Sequence, residues 1–192
     1  MFGNKNKSIC QTSDENLMKK IQYNNTEAFN ELYNRYQKRI LYYFYRMLGN
    51  DKDIAQDFLQ ELFYKVIDKS SLYDPTKKFS TWIFSVAHNM CKNEYRKREV
   101  RKMVVNKEDL DHLCYEEPVK QRNEISADII FRELDSLEES NRTAFILKYR
   151  EGFSVEEIGD ILNLPTGTVK SRLYYARKKL QEKLKQFEIL NT

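Results

Sequence analysis

The residues able to do chemistry here are mostly cations and hydrogen-bond donors rather than nucleophiles. From Thr166 to Lys185 the chain holds seven Lys or Arg and one Glu. Guanidinium and ammonium groups in that density pair with phosphate oxygens and, in a DNA major groove, with guanine edges. A second stretch, Ser85 to Lys102, holds six Lys or Arg and two Glu. It belongs to a run, Phe79 to Arg98, that interleaves aromatics with bases and Asn. That mixture stacks on, pairs with and neutralises single-stranded DNA. Two separated basic stretches point to two nucleic-acid contacts. Covalent or metal chemistry finds little support. The two histidines, His88 and His112, have no evident partners, and Cys10, Cys91 and Cys114 are odd in number with no CxxC spacing. No Ser/His/Asp set, metal-ligand cluster or glycine-rich phosphate loop occurs, so the reading contains no catalytic residue, metal or cofactor.

The C-terminal cations need a helix to present them. Residues Gly152 to Leu180 read as a helix-turn-helix. Ser154 with Glu157 three residues later forms a capping box, and Val155, Ile158, Ile161 and Leu162 follow at helical spacing. Gly159 is small where a second helix crosses closely. Asn163-Leu164-Pro165 stops the first helix, because proline disfavours helical geometry before it. Thr166 or Thr168 caps the second helix. Its inward stripe is Val169, Leu173, Ala176, Leu180 and Leu184. Lys170, Ser171, Arg172, Tyr174, Arg177 and Lys178 fall largely outside that stripe, as a recognition helix in a major groove requires.

The remaining chain reads as helices too. Five Gly and three Pro in 192 residues argue against a β-fold with many turns. Residues 1–13 form a polar, frayed tail, and Asp14 caps a short helix carrying Leu17, Met18 and Ile21. Thr26 opens a longer helix that Gly49-Asn50 ends. Asp51 or Asp53 starts the next, with Ile54, Ala55, Phe58, Leu59, Leu62, Phe63, Val66 and Ile67 buried and Asp57, Gln60, Glu61 and Tyr64 outward. That outward strip suits a basic partner helix. Lys69 to Lys78 is a loop around Asp74-Pro75. In the helix after it, Trp82, Ile83, Val86, Ala87 and Met90 pack inward, while Asn89, Lys92, Asn93 and Arg96 project elsewhere. Periodicity fails from Glu99 to about Asn123, which reads as a flexible linker. It resumes in Ile125, Ile129, Ile130, Leu134 and Leu137, and Asn141 caps a helix carrying Ala144, Phe145, Leu147 and Tyr149. The expected fold is all-α, with two small helical domains on a flexible linker, the second a helix-turn-helix domain. The boundaries are 1–13 tail, 14–98 first domain, 99–123 linker and 124–192 second domain.

Three stretches in this order resemble an extracytoplasmic-function (ECF) sigma factor of the sigma-70 family. Asp53 to Phe63 is similar to its core-polymerase docking helix. Phe79-Ser-Thr-Trp82 through Asn89 to Arg96 is similar to its promoter-melting, −10-reading helix. Pro165 to Leu173 with Ala176, Arg177 and Leu180 is similar to its −35 reader. The resemblance implies that Asp57, Gln60, Glu61 and Tyr64 meet core RNA polymerase. It implies −10 contacts from Leu72, Tyr73, Asp74, Lys77, Lys78 and Phe79 in and beside the base-capture loop, and from Asn89, Lys92, Asn93 and Arg96. It implies −35 contacts from Lys148, Thr168, Lys170, Ser171, Arg172, Tyr174, Tyr175, Arg177 and Lys178. Tyr175 stands where a basic residue is frequent, and Leu137-Glu138-Glu139 replaces the commoner Leu-Pro. The implied partners are core polymerase, promoter DNA and an anti-sigma factor, with no small-molecule substrate.

The expected function is therefore a dissociable, non-enzymatic initiation subunit. Free thiols, the polar N-terminus and the lack of an apolar run of roughly 18 residues place it in the cytoplasm, without direct membrane insertion, held at the inner membrane only if a membrane anti-sigma factor binds it. An ordinary helix-turn-helix regulator leaves the Asp57-Gln60-Glu61 strip and the Phe79 to Arg98 run without a role. A nuclease lacks its catalytic set, and a pure interaction bundle leaves the recognition helix idle.

Overall fold

The computed structural model of the chain describes residues 9–105 and 133–190, with side chains 102–105 and 185–190 undescribed. The described residues form seven α-helices, short 3-10 turns and one π segment, and no strand. The architecture is all-α in two helical domains, as the sequence predicts.

The first domain comprises α1 (Asp14–Ile21), α2 (Thr26–Met47), α3 (Lys52–Asp68) and α4 (Phe79–Val105). Each of the first three is started by a polar side chain one residue earlier. Ser13, Asn25 and Asp51 accept from Asn16, Ala28 and both Asp53 and Ile54 backbone N–H groups. Asp14, expected as a cap, instead accepts from Arg35 at 2.6 Å and from the Tyr36 hydroxyl. Arg35 also donates to the carbonyls of Thr12 and Cys10. Residues 10–13 are therefore tied down rather than frayed. Residues 1–8 of the expected tail lie outside the described residues. The start of α4 is capped from a distance, because Glu15 of α1 accepts from the Phe79 N–H at 3.2 Å. Leu32, Ile40, Tyr43 and Phe44 of α2 meet Leu62, Phe63, Ile83 and Phe84 in a dry core.

Helix α4 runs on to Val105, seven residues past the predicted domain end at Arg98. No Gly or Pro interrupts Glu99 to Val105, and Arg98 pairs with Glu94 at 3.0 Å one turn back. The rest of the predicted linker lies outside the described residues, as do Ile125, Ile129 and Ile130.

The second domain begins, as described, with a 3-10 turn at Leu134–Ser136 where the sequence predicts continuing helix. Helix α5 (Glu139–Phe145) passes into a π segment (Ile146–Arg150), followed by α6 (Val155–Leu162) and α7 (Thr166–Leu190). Asn141 does not cap α5. The chain turns helical earlier, at Glu139, after buried Leu137 and an extended Glu138. The helix-turn-helix follows its predicted chemistry except at the start of α7, where neither Thr166 nor Thr168 is the cap: Thr166 is already helical, and the Pro165 carbonyl accepts from the Thr168 and Val169 N–H groups. Ser154 and Glu157 form the reciprocal capping box, and Asn163 ends α6 in the left-handed region at φ 52°. Val169, Leu173, Ala176 and Leu180 bury the stripe of α7 against α5 and α6, and Leu184 is half-buried.

Gly159 earns its smallness differently from the expectation. A Cβ there would stand 2.9 Å from the Leu164 carbonyl oxygen, so the approaching group is the turn's backbone rather than a crossing helix. Leu164 also donates its N–H to the Gly159 carbonyl at 2.9 Å, which fixes that approach. Gly159→Ala is expected to destabilise the protein by about 1–3 kcal/mol, read as a lower midpoint in urea unfolding. An unchanged midpoint would mean that the turn relaxes freely.

Candidate nucleic-acid interface

Three exposed faces carry the predicted site residues. On α3, Asp57, Gln60, Glu61 and Tyr64 form one strip at helical spacing, opposite buried Ala55, Leu59, Leu62, Phe63 and Val66. Glu61 pairs with Lys65 at 2.8 Å. Ile67, expected in the core, is 46% exposed and extends the strip one turn beyond Tyr64, which is 68% exposed. An apolar edge on an acidic strip is a mixture that protein partners bury.

The second face is the loop before α4 and the outer side of α4 itself. Leu72, Asp74, Lys77 and Lys78 are exposed in the loop, and Asn89, Lys92, Asn93 and Arg96 on α4. The four α4 residues recur every three or four positions and so share one face. Asp74 accepts from the Thr76 hydroxyl at 2.7 Å and the Thr76 N–H at 3.0 Å, which holds its carboxyl below the usual range. Two predicted contacts are not at this surface. Tyr73 is 3% exposed and Phe79 is fully buried. Their rings meet edge-on at 5.9 Å, and Tyr73 also meets Trp82 at 5.4 Å. Burial pushes the Tyr73 phenol up to about 12, and its hydroxyl donates to the Lys77 carbonyl. Aromatic packing against the α2 core wins over solvent exposure. Tyr73 and Phe79 are the post around which the loop is wound. Trp82, expected in the core, is only half-buried and lines a cleft between this loop and α6.

The third face is on α7. Lys170, Ser171, Tyr174, Tyr175, Arg177 and Lys178 are exposed, while Thr168 and Arg172 are half-buried. Tyr174 and Tyr175 cross edge-on at 5.5 Å. The Lys148 ammonium donates to the Phe153 carbonyl at 3.2 Å, so its first bond steadies the entry to α6.

The second and third faces do not lie apart. Helix α6 packs on α4. Phe153 meets Phe84 edge-on at 5.2 Å, and both rings are buried. Arg39 of α2 pairs with Glu151 at 2.7 Å and lies 5.3 Å from the ring centres of both Tyr36 and Phe84. Arg46 pairs with Asp135 at 3.1 Å, and Lys78 with Glu157 at 2.7 Å. Sequence reasoning missed all of these partners. Phe153 carried the only local signal, as an apolar residue stranded between Gly152 and the capping Ser154.

Residues 32–101 match the model for sigma-70 region 2, and residues 127–180 match that for sigma-70 region 4. The chain is 33% identical to the ECF RNA polymerase sigma factor SigW of Bacillus subtilis, over 88% of this chain and 95% of that one. The chain belongs to the ECF sigma factors. The sigma-H factor of Pseudomonas aeruginosa is 30% identical over 92% of this sigma factor and 96% of its own length. The fold is shared with the sigma factor RpoE of Bartonella quintana, solved with the anti-sigma factor NepR. The TM-score is 0.70 at 23% identity, covering 83% of this chain and 98% of that one. It is shared with CnrH, solved with the cytosolic domain of CnrY, at TM-score 0.67 and 22% identity over 91% and 99%. All three exposed faces fall inside the two matched regions. Among the described residues of this sigma factor, no helix is long and apolar enough to cross a membrane.

His88, on α4 between the two domains, is held neutral, its pKa lowered to about 4 by burial and then by Lys92 and Arg172. Its Nδ1 lies 3.5 Å from the Tyr43 hydroxyl. The unfolded chain takes up this proton near pH 6.5 while the folded protein refuses it until about pH 4, so stability falls as pH drops through that window. Unfolding in urea between pH 7 and pH 4 is expected to show this loss, with a shallower slope in His88→Gln. Equal slopes would show that His88 does not contribute.

Proposed function

We propose that this sigma factor docks on core RNA polymerase through the α3 strip and reads a promoter with its other two faces. Asp57, Gln60, Glu61 and Tyr64 meet the polymerase, joined by Ile67. Lys77, Lys78, Asn89, Lys92, Asn93 and Arg96 hold the melted −10 strand, with Leu72 and Asp74 at the loop rim and Tyr73 and Phe79 acting from beneath. Lys170, Ser171, Tyr174, Tyr175, Arg177 and Lys178 read duplex −35 DNA, with Lys148, Thr168 and Arg172 at its edge. The working boundaries are 14–105 for the first domain, where α4 ends, and 124–192 for the second, which contains the region 4 match at 127–180. One observation supports the reading: in a chain of this family, most of the residues expected to dock or contact DNA lie on exposed faces of α3, of α4 with its preceding loop, and of α7.

The work is done by binding, without covalent catalysis. Each DNA contact is weak alone, and the polymerase supplies the effective concentration that links them. Holding a base out of the stack costs a few kcal/mol, which phosphate and stacking contacts offset. The place of action is the cytoplasm. Two fold relatives were solved with partners, NepR an anti-sigma factor and CnrY through its cytosolic domain, which supports control of this protein by an anti-sigma factor.

Lys170→Glu with Arg177→Glu is expected to lower −35-dependent transcription at least about tenfold while core affinity stays unchanged. Asp57→Lys with Glu61→Lys is expected to lower core affinity by about tenfold or more in a protein with an unchanged circular-dichroism spectrum. Unaltered transcription in the first variant, or unaltered core affinity in the second, would remove the corresponding assignment.

A further inference from the structure

Helix α1 packs against both the 3-10 turn at Ser70–Leu72, which opens the −10 loop, and α4, which follows that loop. It holds the loop at both ends. Glu15 accepts the Phe79 N–H at 3.2 Å, and the Gln22 amide donates to the Ser70 carbonyl at 2.8 Å. The residue after Gln22 is Tyr23, which is 85% exposed, more than any other large apolar side chain among the described residues. The turn that carries it is rigid. The Tyr23 N–H donates to the Lys20 carbonyl at 3.0 Å, and the Asn24 and Asn25 N–H groups donate to the Ile21 and Lys20 carbonyls at 2.9 and 3.2 Å. Asn24 takes the left-handed region at φ 58°, and Asn25 caps α2. A tyrosine on so fixed a turn loses little freedom when its ring is covered. Its surroundings are basic: Lys19, Lys20 and Lys69 are exposed, and residues 16–26 contain no Asp or Glu. Leu72, 75% exposed and two residues beyond Ser70, continues this surface into the −10 loop.

We propose that Tyr23 is a stacking post for one further unpaired promoter base, next to those held by the −10 loop, with Lys19, Lys20 and Lys69 placed to neutralise its phosphates. This rests on the −10 reading and extends it to residues that precede position 32, where the region 2 match begins. An exposed ring flanked by ammonium groups has the chemistry of a single-strand site: the ring covers a base face, and the cations track the backbone. Duplex DNA does not fit, because its base faces are already covered by their neighbours. A protein partner fits less well, because protein interfaces gather tyrosine but are depleted of lysine. Every base has a face to stack, so the contact is indifferent to which base is present and sensitive only to whether one is.

The test uses the full chain with core RNA polymerase and a fork-junction promoter DNA whose non-template strand is unpaired through and beyond the −10 element. Wild-type protein, Tyr23→Ala and Tyr23→Phe are compared on the intact fork and on a series of forks that each lack one base of the unpaired strand. On the intact fork Tyr23→Ala is expected to bind about 5- to 10-fold more weakly than wild type, while Tyr23→Phe, which keeps the ring, stays within about twofold. One abasic position beside the −10 element is expected to weaken wild type by a similar factor and to leave Tyr23→Ala unchanged. Equal affinities of wild type and Tyr23→Ala for the intact fork overturn the proposal, and so does an equal response of the two proteins at every abasic position. A loss of core affinity by Tyr23→Ala in the absence of DNA also overturns it, since the ring then meets polymerase. The −10 reading is judged by the wild-type protein alone: if abasic sites within the −10 element do not weaken its binding, that reading falls and this proposal with it.

Discussion

The arrangement depends on one aromatic contact and the charge beside it. Phe153 leaves the second domain and buries its ring against Phe84 of the first. Arg39 lies near that ring and reaches Glu151, whose side chain is only 2% exposed. A carboxylate so enclosed requires its guanidinium, since an unpaired buried charge costs several kcal/mol. Glu151 and Phe153 flank Gly152, which takes φ 79°, so the chain turns sharply as it delivers both groups. From that point α6 must run along α4, and the orientation of α7 follows from the helix-turn-helix geometry.

Helix α4 thereby serves three surfaces. Ile83, Ala87 and Cys91 face the first domain's core, Phe84 meets Phe153, and Asn89, Lys92, Asn93 and Arg96 stay in solvent. A helix divided this way lacks a strong single apolar face, yet it is the element to which both domains are fitted. The α3 strip lies on none of these contacts, so the surface proposed to face the polymerase stays exposed while the domains are packed.

What was legible in the sequence was what local chemistry decides. Ser154 with Glu157, the stop at Asn163-Leu164-Pro165 and the stripe from Val169 to Leu180 each depend on neighbours within a few residues, and the structure forms them so. Less legible were residues whose environment is set from far away. Tyr73 and Phe79 sit beside a loop that looks solvent-facing, and only the ring of Tyr36, from another helix, shows why Phe79 is dry. Ile67 has the spacing of a core residue, but none of the described helices covers it. Arg39 and Glu151 are 112 positions apart, a separation that periodicity does not sense. The exposed polar strip of α3 and the polar face of α7 were readable because exposed polar residues opposite a clean apolar stripe leave a pattern. The packing of α6 on α4 leaves none.

The most direct measurement is in vitro transcription from a promoter library with core RNA polymerase, with and without this protein. The account predicts discrete start sites that appear only when the protein is present, each preceded by shared −10 and −35 elements. No initiation, combined with tight sequence-specific duplex binding by the protein alone, would contradict it and favour an ordinary helix-turn-helix regulator.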